Sequence, residues 1–311
     1  MKIFLYPNGG YRTYSLKKGL EKFRIYDIIT VINDYFTEVR VCFAPLCGWR
    51  IFMAEMKLFT YNIRTESAGD GINAFVKRKE FIRARFPSYE PDIIGFQETQ
   101  PHMRRWIIDN FQDYEVCGIG READLLGESN IIAFRRGMFD LVKLDTFWLS
   151  DTPSVPGSRF STDQSGCPRI CTCVTLRHSE SGKVFRHYNT HLDHVGRFAQ
   201  AQGISLILNR IAKDYSTWAL PVILTGDFNV TPDSKVYESV IGFKGCGAPL
   251  VDVTADVGGT FHGYHPETTM EKIDYIFTNL SCDSSRSFKA DDVENGVYLS
   301  DHYPVGAYLE I

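Results

Sequence analysis

From Met56 onward the chain alternates short apolar runs with longer stretches whose apolar positions recur at helical spacing. KLFTYNI and, after a proline stop, PDIIGFQE read as strands. Between them GINAFVKRKEFIRARF predicts a helix with Phe75, Phe81, Ile82 and Phe86 on its buried stripe. HMRRWIIDNF predicts a short helix, and SNIIAFRR and FDLVKLDTFWLS predict strands. RICTCVTLRH and KVFRHYNTHL pair as a hairpin around SESGK. GRFAQAQGISLILNRIAKDY is the longest predicted helix, and LPVILTGD is the strand after it. DSKVYESVI follows as a helix capped by Asp233, and KIDYIFTN and YPVGAYLEI are the last strands.

Two stretches break this rhythm. Residues 151–168, rich in Pro, Ser, Gly and Asp, are long enough for a functional lid or rim. Residues 1–52 carry scattered Gly, Tyr and Lys, a short amphipathic piece (EKFRIYDIITVINDYF) and no chemical motif. They read as an N-terminal extension, from an upstream misassigned start or as a small helical appendage, with the working domain at 53–311.

Composition narrows the function classes. The 311 residues are 44% hydrophobic and 23% charged, enough to bury one large α/β core. A net charge of −4 is no footprint for wholesale nucleic-acid binding, though a local phosphate site stays open. The 8 cysteines show no zinc spacing and read as reduced, small hydrophobes in a cytoplasmic protein. Cys171 and Cys173, two apart on a strand, face the same side. No apolar run reaches membrane-span length, and VRVCFAPLCGWRIFMA, broken by Pro45, Gly48 and Arg50, is no signal peptide.

Polar residues gather where strands stop or start. Asn62 ends the first strand, Glu98 the second, His191 the KVFRHYNTH strand, and Asp227 and Asn229 the strand LPVILTGD. Asp274 opens KIDYIFTN, and Asp301 and His302 precede the final strand. Singly, each has an ordinary structural reading, such as an Asx turn at Asp227. Together they mark one edge of a sheet-based fold.

The ordered words YNIR, FQET, NTHLDH, TGDFN, IDYIF and SDHYPV resemble the endonuclease/exonuclease/phosphatase superfamily of DNase I-like, metal-dependent phosphoesterases, across Met56–Ile311. FWLSDTP and the RICTCVTL strand are similar to its bacterial branch related to deadenylase-type exonucleases, with a departure at Cys173, where a Trp is common. The resemblance implies a four-layer α/β/β/α sandwich of two packed mixed sheets flanked by helices. It implies Mg²⁺ or Mn²⁺ held by Glu98, Asn62 and Asp301, and Asp227 as the group that orients and deprotonates water. Asn229 would fix the phosphate, Asp274 would hold His302 protonated toward the phosphate, and His191 would donate to the developing charge. Asn62, Arg169 and Arg135 are further substrate-binding candidates, the arginines sharing a reading as rim charges. His194 and Asp193 read as loop residues, Trp148 as rim packing, and the basic run KRKEFIRAR as a solvated helix face.

A monomeric nuclease acting on single-stranded ends or short oligonucleotides is the first expectation. A phosphatase of a sugar phosphate, nucleotide or inositol phosphate is the second, ahead of a sphingomyelinase-like phospholipase and an inactive scaffold. A chain beginning at Met53 is expected to keep full turnover; a severalfold loss would show that residues 1–52 take part.

Overall fold

The computed structural model describes residues 2–5, 12–15 and 55–311, apart from residue 283. The chain divides into two compact units, Met1–Phe52 and Met53–Ile311. In the first, β1 (Lys2–Leu5) and β2 (Arg12–Ser15) pair antiparallel. The amphipathic piece expected at residues 21–36 lies outside the described residues.

The second unit contains two six-stranded mixed sheets. One runs in the order β13 (Phe288–Lys289), β16 (Val305–Glu310), β3 (Glu55–Asn62), β4 (Ile93–Gln97), β6 (Ile132–Arg135), β5 (Tyr114–Cys117). The other runs β11 (Val251–Asp252), β12 (Asp274–Thr278), β10 (Val222–Asp227), β9 (Val184–His191), β8 (Ile170–His178), β7 (Phe139–Trp148). Helices α1 (Phe75–Arg85) and α2 (Pro101–Asn110) cover the first sheet, and α3 (Arg197–Thr217) and α4 (Lys235–Ile241) the second. A small hairpin of β14 (Val293–Glu294) and β15 (Val297–Tyr298) precedes the last strand.

Three apolar layers hold these four layers together, as alternation on each strand requires. Leu58, Ile93 and Phe134 meet Val174, Phe185, Ile223 and Ile276 between the sheets. Phe59, Tyr61 and Phe96 pack outward on Phe75, Ile82 and Ile107. Tyr188, Leu224, Phe277 and both Cys171 and Cys173 pack outward against Ile204, Ile207 and Ile211 of α3. This is the expected α/β/β/α sandwich. Cys117, Cys167, Cys171, Cys173 and Cys246 are free thiols, and no described helix is long and apolar enough to cross a membrane.

Register explains why the polar strand ends converge. β3 and β4 are parallel, so Asn62 stands opposite Gln97 and their C-termini share an edge. β9 and β10 are also parallel, placing His191 opposite Asp227. β12 and β16 run antiparallel to these, so Asp274 pairs with Asp227 at the start of β12, and β16 begins beside Thr60.

A buried polar network locks the sheets together just beneath that edge. Gln97 Nε2 donates to Thr60 Oγ1 at 3.1 Å and across to Asn189 Oδ1 at 2.8 Å. Asn189 Nδ2 returns to Phe96 O at 2.8 Å and Ile131 O at 3.0 Å. Thr225 Oγ1 completes the bridge to Asn189 Oδ1 at 3.1 Å and meets His187 Nε2 at 2.7 Å. Gly95 makes room for it, since a Cβ there would lie 2.6 Å from Thr225 Oγ1.

Local details depart from the sequence reading. Ser234, not Asp233, caps α4 by accepting from Tyr237 N, because Asp233 is engaged by the Thr231 hydroxyl. β5 was not foreseen, since YEVC is short and carries a charge at its centre. The basic run on α1 is not wholly solvated: Arg78 is fully buried and donates to the carbonyls of Ile63, Arg64, Asn73 and Leu299. It thereby clamps the segment after β3 to the segment before Asp301. Residues 151–168 form no helix or strand and are tied to the start of α3, where Asp163 Oδ2 accepts from Phe198 N at 2.8 Å.

Gly226, with φ at 155°, would place a Cβ 2.1 Å from Thr190 O. Gly226→Ala is expected to cost at least about 1–3 kcal/mol of unfolding free energy, read by urea denaturation, because backbone strain is added to a clash. Unchanged stability would show that β10 relaxes freely against β9.

Candidate active site

Two residues at the shared edge leave their strands in left-handed backbone: Glu98 at φ 60° and Asn229 at φ 50°. Asn tolerates this conformation, but for Glu it is a local strain that the surroundings must hold. The turn aims the Glu98 carboxylate back over the edge, where Oε2 accepts from Thr65 N at 2.8 Å and Oε1 from Asn62 Nδ2 at 3.0 Å. The same amide donates to Asp227 Oδ2 at 2.9 Å, so Asn62 bridges carboxylates from the two sheets. His191 Nε2 lies 3.5 Å and His302 Nε2 3.7 Å from that Asp227 oxygen. His302 Nδ1 meets Asp274 Oδ2 at 2.8 Å, and the ring packs on Phe261.

Burial and neighbouring charge set distinct protonation states. Burial, then the Asp274 carboxylate, pushes Asp227 up to about 7. Burial opposes charge on His302, but Asp274, by charge and hydrogen bond, and then Asp227 raise it to about 10. Burial, followed by the cations Arg169 and Arg121, holds His191 well below the usual imidazole range. Burial alone would raise Glu98, yet the bonds from Thr65 and Asn62 and the charges of His302 and Arg64 leave it lowered. The site thus holds one imidazolium, one neutral imidazole, an ionised Glu98 and an Asp227 poised near neutrality.

Asn62, Glu98, His191, Asp227, Asp274 and His302 are therefore brought together. Asn229 sits beside them, its backbone N–H on Asp227 Oδ1 at 2.9 Å and its amide on Leu192 O at 3.0 Å. Asp301 adjoins the group, with Oδ1 accepting from Ser300 Oγ at 3.1 Å and Oδ2 3.5 Å from Arg64 Nε. Arg169 is buried near His191, with Nε 3.5 Å from Asp193 Oδ2 and a guanidinium nitrogen 2.8 Å from His194 Nδ1. Asp193 also accepts from the N–H groups of Ser165, Val195 and Gly196, as a loop-ordering residue does.

Arg135 is the correction. It pairs with Asp92 Oδ1 at 3.2 Å, beside the start of β4, because β6 runs antiparallel to β4 and carries its last residue to the opposite edge. Two charged features went unassigned in the sequence. Arg64, inside the quoted word YNIR, pairs with Asp70 at 3.0 Å and reaches Asp301. Arg121 and Glu128, 2.7 Å apart in the loop before β6, act electrostatically on His191 and Glu98. Nothing in their local sequence separates them from ordinary loop charges.

The Endonuclease/Exonuclease/phosphatase family model matches residues 59–302. The chain belongs to that family. A family member from Bacteroides vulgatus is 30% identical, with a TM-score of 0.75, over 83% of this chain and 99% of that one. The mannosyl-6-phosphatase of Bacteroides thetaiotaomicron is 27% identical, with a TM-score of 0.71, over 81% and 98%. Protein angel of Drosophila melanogaster is 31% identical over a segment spanning 40% of this chain and 39% of that protein. Family members are hydrolases of phosphoester bonds and generally depend on a divalent metal.

The donor set of this chain suits such an ion. Glu98, His191 and Asp227 each offer an atom within 4.8 Å of one another, as do Asp227, Asp274 and His302. The second trio is the poorer fit, because His302 is protonated and committed to Asp274. Glu98 and Asp227 supply the oxygen that hard cations prefer. Asn62 turns its nitrogen toward both carboxylates, and Asp301 lies beside the group with Oδ2 3.5 Å from Arg64 Nε.

A group whose folded pKa is raised stabilises fully below its unfolded value and less as pH passes the folded value. The melting temperature of the metal-free protein is therefore expected to fall as pH rises from 7.5 to 10, through the deprotonation of His302. Asp274→Asn should flatten that fall; an equally steep profile in the variant would show that the pair does not hold the proton.

Proposed function

We propose that the chain is a divalent-metal-dependent phosphatase of a small phosphorylated metabolite, acting by direct attack of water. The reading is carried by one observation: a single Asp227 oxygen lies 2.9 Å from Asn62, 3.5 Å from His191 and 3.7 Å from His302, with Glu98 across Asn62.

A bound Mg²⁺ or Mn²⁺, held through Glu98 and its neighbours, would neutralise phosphoryl charge. Asp227, near pKa 7, accepts the proton of the attacking water at neutral pH. The water oxygen bonds to phosphorus, the ester P–O bond breaks, and the alcohol departs with a proton drawn from solvent. Protonated His302 and the Asn229 amide donate to phosphoryl oxygens, and neutral His191 donates one further N–H to the charge that develops. Arg169 balances that charge from behind.

The 27% identity to a mannosyl-6-phosphatase, spread over most of both chains, supports a monoester substrate. The net charge of −4 also favours a small substrate over the nuclease that the resemblance ranked first. A cytoplasmic, monomeric enzyme remains part of this proposal.

Asp227→Asn and His302→Ala are each expected to stay folded while losing about 10²–10³ in turnover, the usual cost of one such group. Phosphate release from a panel of monoesters and diesters with Mg²⁺, abolished by EDTA, is the assay. A rate that survives EDTA, or either substitution, would refute the assignment.

A further inference from the structure

Next to Asp301 lies a second feature that the hydrolytic site does not use. A cleft of about 620 Å³ opens between residues 69–73, the loop 263–267 and the turn at 296–298. Its size is that of a small-molecule site.

The cleft is built rather than incidental, and Asn73 is its keystone. Asn73 is buried; its Oδ1 accepts from Tyr298 N at 2.9 Å and its Nδ2 donates to Gly296 O at 3.2 Å. Its carbonyl accepts from the Tyr264 hydroxyl at 3.4 Å and from the buried Arg78 at 2.9 Å. The third wall is fastened to the active site directly, because His262 N and Gly263 N both donate to Asp301 O, at 2.9 and 3.1 Å. Tyr264 then sits at φ 66°, a strained conformation for a bulky residue, directly after Gly263 at φ 55°. Strain of that kind persists where the surroundings over-determine a side chain's position. Outside the lining, Arg64 joins cleft to site through Asp70, 3.0 Å from it and 3.5 Å from Asp301.

The lining chemistry is selective. Tyr264 and Tyr298 supply aromatic faces, Asp70 and Glu267 supply acceptors, and His265 supplies a polar edge. No lysine or arginine lines it. A polyanionic group, such as the rest of an oligonucleotide or an inositol polyphosphate, would find Asp70 already paired with Arg64, Glu267 3.6 Å from His265, and no lining lysine or arginine to bind its phosphates. A neutral polyhydroxylated group would find acceptors for its hydroxyls and flat faces for its apolar side.

We infer that this cleft is the leaving-group subsite and that it takes the sugar of a hexose-type monophosphate, with Tyr264 and His265 setting specificity. The inference rests on the phosphatase reading above and adds the chemical class of the alcohol released.

The test compares kcat/KM for hexose 6-phosphates with that for p-nitrophenyl phosphate and a short single-stranded oligonucleotide, all with Mg²⁺. The variants are His265→Ala, on an exposed residue, and Tyr264→Asn, whose new side chain tolerates the left-handed backbone. The wild type is expected to favour the hexose phosphates. Each variant should lower the hexose-to-nitrophenyl ratio about tenfold or more, mainly through KM, as loss of one pocket contact does. An unchanged ratio in both variants, or an oligonucleotide as the best wild-type substrate, would overturn the subsite. Absence of metal-dependent cleavage of every ester would instead overturn the hydrolase reading. In that event calorimetric binding of hexose 6-phosphate, lost in Tyr264→Asn, would still support the subsite, and absence of binding would overturn it.

Discussion

The hydrogen bonds that Gln97, Asn189 and Thr225 make between the sheets are the constraint on which the site depends. Two sheets joined only by apolar side chains can slide with little penalty, because hydrophobic contact is not directional. A buried amide pair cannot slide without stranding its donors, which costs about 1–3 kcal/mol per unsatisfied group. The network lies one residue from Glu98 and two from Asp227 and His191, so it fixes the half-sites of both sheets against each other. Gly95 permits it by leaving room for the Thr225 and Asn189 side chains, where a Cβ would collide.

Above that lock the site concentrates charge that ordinary cores avoid. Glu98, Asp227, Asp274 and Asp301 converge with His302 and Arg64 in a largely buried space. Buried carboxylates are tolerable only when paired, hydrogen-bonded or neutralised by a cation. Asp274 is paired with His302, and Glu98 is hydrogen-bonded twice. Asp227 is left with a raised pKa, and Asp274 Oδ1 has no hydrogen-bond partner. A cation would relieve that excess, and the same geometry would put its charge where a phosphoryl group could use it.

Much of this was legible in the sequence because strand ends are local events. Asn62, Glu98, His191 and Asp227 each stop an apolar run, and a one-edge arrangement follows once β3 pairs parallel with β4 and β9 with β10. Arg135 stops an apolar run equally well, yet β6 runs the other way, and direction is set by pairing partners distant in sequence. Arg78 was hidden for a different reason: a charged residue in a basic helix looks solvated unless the carbonyls it will cap are known. Tyr264 and Asn73 form their cleft across about 190 residues of chain, beyond any local pattern.

The central claim is that Glu98 holds a divalent cation on the side facing Asp227, the base carried by the other sheet. Anomalous diffraction from crystals grown with Mn²⁺ tests it most directly. The account predicts a peak within coordination distance of a Glu98 carboxylate oxygen, on the side facing Asp227. A peak elsewhere with the Glu98 edge empty, or none at saturating Mn²⁺, would contradict it.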